Sequence, residues 1–204
     1  MSSPLHKSAS AVHSSKPEST PRDEFSSPER QFLLKIAHDA IGALIQGRKL
    51  KVEESSVHLA EPRGVFTTIY LHGELRGCVG YVFPVLPLAQ AVAETAQAAA
   101  SQDTRFRPVT AEEGPHLRVS LSVLSSLFPV APDQIEIGRH GLVVTWSGHR
   151  GLLLPQVPVE HHWDRETFLE QTCRKAGLPS KAWKAGAKLE AFTAEVFGDE
   201  ECSE

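Results

Sequence analysis

The chain has 204 residues, 41% of them hydrophobic, enough for one domain of ordinary size with its own core. Its net charge of -4 gives no general pull toward nucleic acid or an anionic membrane, and no stretch approaches the roughly 20 apolar residues that span a bilayer. Three scattered cysteines (Cys78, Cys173 and Cys202) without a CxxC pair argue against a disulfide framework or a zinc ribbon, and a cytoplasmic protein without a secretory signal is expected.

Residues 1–26 are rich in Ser, Pro and charge and offer little to bury, so a disordered tail is expected there. A domain over 27–198 and an acidic tail over 199–204 complete the expected organisation. Ser27, Pro28 and Glu29 form a helix start. Phe32, Leu33, Ile36, Ala37, Ala40, Ile41, Leu44 and Ile45 then recur at helical spacing, and Gly47 ends the run.

"VFTTIYL", His72-Gly73 and "ELRGCVGYV" read as a β-hairpin with a two-residue turn. An Ala-rich helix opened by Pro87 covers 86–101, and Thr110 and Glu113 have capping-box spacing. Leu117, Val119, Leu121 and Val123 alternate with polar residues in a half-buried strand. A second hairpin is expected from 141–146 and 151–156, joined by residues 147–150. Asp164 caps a helix that buries Phe168, Leu169 and Cys173 and stops at Gly177, and 188–197 reads as one closing strand. Helices and hairpins without a βαβ rhythm predict an α+β fold with short antiparallel or mixed sheets.

"GELRGCVGYV" carries the main candidate site. Uninterrupted pairing from the turn sets Ile69 opposite Arg76 and Thr67 opposite Cys78. One face then holds Phe66, Tyr70, Leu75 and Val79, an apolar set fit for the core, and the other holds Cys78 with Arg76, Thr67 and Glu74 among Val65, Ile69 and Leu71. On that reading Arg76 binds an anion and favours thiolate at Cys78, a candidate nucleophile or carrier thiol. Gly77 and Gly80 leave bare backbone for a ligand or another chain segment to approach. The competing reading makes Cys78 a small buried filler and the glycines marks of a bulge.

"LRGCVG" at 75–80, "DTRFRP" at 103–108, "IGRHGL" at 137–142, "RGLLLPQV" at 150–157 and "CRKAGLP" at 173–179 occur in order. Together they resemble the AMMECR family, whose prokaryotic members are called AmmeMemoRadiSam system protein A. The resemblance spans about residues 30–198. It implies two unequal lobes around a cleft bordered by the LRGC segment, and Memo-type and radical SAM proteins as partners. It names no reaction. Asp103-Thr104-Arg105-Phe106 departs from the usual D-P-R-F, and Arg107 stands where proline is common. His149, His161 and His162 occupy variable positions, so no mechanism is built on them.

Asp103 and Arg105 form either an anion-binding edge or a locked helix-ending turn, and Arg150 and Gln156 either line the cleft or serve structure. The histidines lack metal-ligand spacing and no CxxxCxxC cluster motif occurs, so no metal or cofactor is expected. Arg174, Lys175, Lys181, Lys184 and Lys188, with Trp183 among them, form a basic run that would suit RNA. The expected function is a cleft-bearing enzyme or enzyme accessory; the alternative is a non-catalytic protein- or RNA-binding module.

Overall fold

The computed structural model describes residues 24–52 and 56–199. Most of the expected N-terminal tail, and all of the C-terminal tail beyond Asp199, lies outside those residues. Helix α1 spans Ser27–Ile45. Its cap is Ser26, one residue before the expected one, because Glu29 accepts from both the Ser26 N–H (2.9 Å) and its hydroxyl (2.7 Å). Glu29 is thereby pulled down to about 2, first by Ser26 and then by His58. Gly47, at φ 64°, follows the helix end.

Strands β1 (Val65–Leu71) and β2 (Glu74–Tyr81) form the first hairpin, and α2 (Leu88–Ser101), β3 (Leu117–Leu124) and the short β4 (Phe128–Pro129) follow. Next come β5 (Gly141–Trp146), β6 (His149–Leu153), the one-turn α3 (Gln156–Glu160) and α4 (Arg165–Lys175). The expected closing strand is two, β7 (Lys188–Phe192) and β8 (Ala194–Gly198), because the chain changes sheets at Thr193. The fold is α+β with two antiparallel four-stranded sheets, in the orders β2-β1-β3-β8 and β4-β7-β5-β6.

Helices α1 and α2 cover one face of the first sheet. Leu33, Ala37, Ile41, Val92 and Ala96 pack there against Val65, Ile69, Val119 and Leu121. Burying each large aliphatic side chain contributes about 1.5–3 kcal/mol. Alanines on α2 let helix and sheet approach closely, and the space a Cβ would need at Gly77 holds the Ala99 carbonyl. Phe25 and Asp199, assigned by composition to the tails, belong to this unit. Phe25 is buried and stacked on His58, and Asp199 accepts the Val119 N–H at 2.7 Å.

In the second sheet, α4 covers the face carrying Leu142, Val144 and Leu189. Asp164 accepts the Thr167 N–H at 2.8 Å to cap α4. The second hairpin turns on Ser147 and Gly148 alone, both at positive φ, so β6 starts two residues earlier than expected. The opposite face carries Val143, Leu152 and Phe192. It meets the uncovered face of the first sheet through a shared cluster that includes Leu124 and Phe66. No helix among the described residues is long and apolar enough to cross a membrane.

Candidate functional site

The turn at His72-Gly73 forms as expected, with both residues at positive φ. The register beyond it does not. Leu71 pairs with Glu74 and Tyr70 with Leu75, and then the register shifts, so that Ile69 pairs with Gly77 and Thr68 with Cys78. Arg76 is the extra residue of a bulge. One inserted residue reverses the face of everything after it, which sequence alternation alone cannot register. The covered face is therefore Val65, Thr67 and Ile69 with Gly77, Val79 and Tyr81. The open face is Phe66, Thr68 and Tyr70 with Cys78 and Gly80.

Cys78 thus keeps its place off the helix-covered face but loses its expected neighbour. The Arg76 side chain is 14% exposed and makes four hydrogen bonds: Glu113 accepts from its Nε (2.9 Å) and a terminal nitrogen (3.0 Å), and the carbonyls of Arg107 and Pro108 accept from its terminal nitrogens. Glu113 also accepts the Thr110 N–H at 2.8 Å, which realises the expected capping box. Arg76, ahead of Thr110, holds Glu113 below the usual carboxylate range. Arg76 ties the hairpin to the 107–113 loop.

Arg105 is the cation associated with Cys78. Asp103 closes the turn after α2 and is 6% exposed. One carboxylate oxygen of Asp103 accepts both the Cys78 N–H (2.9 Å) and an Arg105 guanidinium nitrogen (2.7 Å). Its other oxygen accepts the Arg105 Nε–H at 2.9 Å and the Arg105 backbone N–H at 3.2 Å. The guanidinium, aided by the Cys78 and Arg105 backbone donors, holds Asp103 well below the usual carboxylate range. Arg105 is held protonated more firmly than usual, first by Asp103 and least by negative charge at Cys78. It is 57% exposed, so its outer edge remains open to solvent. The locked turn and the charged edge are one arrangement.

On the open face, the Thr68 hydroxyl donates to the Cys78 sulfur at 3.3 Å. Strand pairing extends this contact into a row, Cys78, Thr68, Ser120 and Gly198, crossing all four strands. The next row is Gly80, Phe66, Ser122 and Val196, and the Phe66 ring lies where a Gly80 side chain would stand. Both glycines therefore admit internal neighbours: Gly77 admits α2 and Gly80 admits Phe66. Thr68 and Ser120 were missed by sequence reasoning. Their signal was the polar alternation of β3, unusable until the register of β1 was known.

The remaining candidates separate. Arg150 is exposed on β6 with its guanidinium over the Phe83 ring, 4.2 Å from the centroid, at the end of the first hairpin. Gln156 is exposed at the start of α3. The basic run divides. Arg174 and Lys175 complete the last turn of α4, while Lys188 pairs with Thr145 on the sheet face away from α4. Lys184 is engaged by Glu166 and Lys188 by Glu190, each at 2.6 Å, and Lys181 stands exposed ahead of both in sequence. Cys173 is buried against the N–H groups of Ala182 and Trp183, and burial pushes its thiol up. Among the described residues, no group of three or more His, Cys, Asp or Glu side chains is placed to hold a metal ion.

The family model for AMMECR1 matches residues 34–197, nearly the whole described domain. The chain belongs to the AMMECR1 family. It is 40% identical to protein MJ0810 of Methanocaldococcus jannaschii, over 85% of this chain and 91% of that one. It is also 40% identical to protein MK0488 of Methanopyrus kandleri, over 85% and 89%. The crystal structure of the uncharacterized protein PH0010 from Pyrococcus horikoshii superimposes with a TM-score of 0.67 at 40% identity, covering 83% of this chain and 90% of that one. The matched AMMECR1 segment contains β1 to β3, the Asp103 turn and the open sheet face.

Proposed function

We propose that this AMMECR1-family protein handles a small molecule on the open face of its first sheet, with Cys78 as its reactive thiol. The observation that carries this reading is the setting of Cys78. It stands off the helix-covered face, its sulfur receives the Thr68 hydroxyl, and its backbone shares an Asp103 oxygen with the exposed guanidinium of Arg105. The sulfur is partly exposed on the open face, and the Arg105 edge beside it stands open to solvent. Arg105 takes the role first assigned to Arg76.

The chemistry such a thiol supports is acceptance of an acyl group. The sulfur electron pair bonds to the acyl carbon, the leaving group departs with its bonding pair, and the thiol proton passes to the leaving group or solvent. No histidine hydrogen-bonds Cys78 among the described residues, so the thiol fits a carrier that accepts an activated group better than a hydrolase. The Memo-type and radical SAM partners implied by the family suit a protein that passes such a group on.

Incubation with an aryl thioester, followed by intact-mass and peptide analysis, tests the reading. A hydroxylamine-labile adduct at Cys78, absent from Cys78→Ala, is expected. Failure of Cys78 to acylate in the folded protein would remove the carrier role and leave a non-catalytic binding module.

A further inference from the structure

We infer that the cavity beside Tyr70 and Arg118 is the anion-binding end of the same site, and that it selects a molecule with an anionic group at the end remote from its reactive carbon. This rests on the proposed role of Cys78 and adds a substrate class to it.

The cavity measures about 340 Å³, within the range of small-metabolite sites, and is lined by Tyr70, Arg118, Ser120, Val196, Gly198 and Asp199. Register places it on the open face. Tyr70 pairs with Arg118, Ser120 with Gly198 and Ser122 with Val196, while the alternating Val119, Leu121 and Phe197 are buried. Ser120 belongs both to the cavity lining and to the row that ends at Cys78. Two strand spacings separate Ser120 from Cys78, about 10 Å in all. The surface between them is Thr68.

Arg118 is chemically available. It is exposed and forms no hydrogen bond or ion pair among the described residues. Arg118 acts on Asp199 by charge alone, and that carboxylate already takes the His38 ring N–H at 3.0 Å and the Val119 N–H at 2.7 Å. Arg76, by contrast, is consumed by Glu113 and two carbonyls. An exposed guanidinium that makes no hydrogen bond can bind a carboxylate or phosphate in bidentate fashion. The Tyr70 hydroxyl is a further donor at the cavity, while that of Ser120 already donates to the Phe197 carbonyl at 3.5 Å. Val196, 59% exposed at the rim, suits an aliphatic segment rather than a sugar. The ligand class is a carboxylated or phosphorylated aliphatic chain with an acyl group at its far end.

The test compares two aryl thioesters of equal length, octanedioyl with a free terminal carboxylate and octanoyl without one. The carboxylated probe should acylate Cys78 about tenfold faster in the unmodified protein. Arg118→Gln should abolish that preference, and an unchanged Tm shows that the variant is folded. Equal rates for the two probes, or a preference that survives Arg118→Gln, would overturn the inference. Inertness of Cys78 toward both probes would instead remove the carrier role. The anion site then has its own reading in titration with octanedioate, followed by amide NMR at Ser120 and Gly198. Shifts lost in Arg118→Gln support the site, and their absence refutes it.

Discussion

Thr67 and Thr68 are neighbours of one residue type on one strand, and they live in different worlds. The Thr67 hydroxyl is fully buried and meets the Thr95 hydroxyl of α2 at 2.8 Å. The Thr68 hydroxyl points the other way, onto the Cys78 sulfur of the partly exposed face. Alternation along a strand divides one sheet into a helix-covered face that holds the fold and an open face that carries Cys78. The same division separates Gly77, which abuts α2, from Cys78. Substitutions on the covered face should therefore cost stability, and those on the open face should change reactivity.

The largest expected effect is Gly77→Val. Its Cβ would collide with the Ala99 carbonyl, backbone against backbone, at a cost of about 3 kcal/mol or more, read as a fall in Tm. Next is Arg76→Ala, which strands Glu113 and unties the 107–113 loop for about 2 kcal/mol by urea denaturation, with Cys78 alkylation unchanged. If Arg76 were instead the cation that activates Cys78, alkylation would slow.

Asp103→Asn ranks third, at about 1.5 kcal/mol, because it weakens the bonds to Arg105 and to the Cys78 N–H. Asp103 and Glu113 both sit below the usual carboxylate range when folded. Their contribution is present above the ordinary carboxylate pKa and is lost as pH falls through the lower folded values. Asp103→Asn should accordingly flatten the acid limb of the stability profile. A limb unchanged by the substitution would show that the Asp103 turn contributes nothing there. The smallest effects sharpen the comparison most: Thr67→Val should cost about 1 kcal/mol and leave alkylation alone. Thr68→Val should cost under about 0.5 kcal/mol yet slow alkylation severalfold.

How much of this was legible in sequence follows the same division. Amphipathic spacing placed the buried face of α1, and alternation placed that of β3, because burial repeats with the period of the backbone. The Thr110–Glu113 box and the Asp164 cap were legible because capping is local. The faces of β1 were reversed, since Thr67 lies in the core and Phe66 at the junction. The bulged Arg76 is held by the 107–113 loop, more than 30 residues away, and no local pattern carries that contact. The partnership of Arg105 with Cys78 runs through Asp103 across 25 residues, so the motif strings were visible while their assembly was not. Phe25 looked like tail because a single aromatic in a Ser/Pro-rich stretch has no periodicity to reveal its burial.

The central claim is that Cys78 is a reactive thiol promoted by Arg105, and native-state alkylation with iodoacetamide, followed site by site through peptide mass mapping, tests it most directly. Cys78 should label at least about tenfold faster than the buried Cys173, and Arg105→Gln should slow Cys78 severalfold without changing Cys173. Labelling of Cys78 no faster than that of Cys173, or a rate indifferent to Arg105→Gln, would contradict the account.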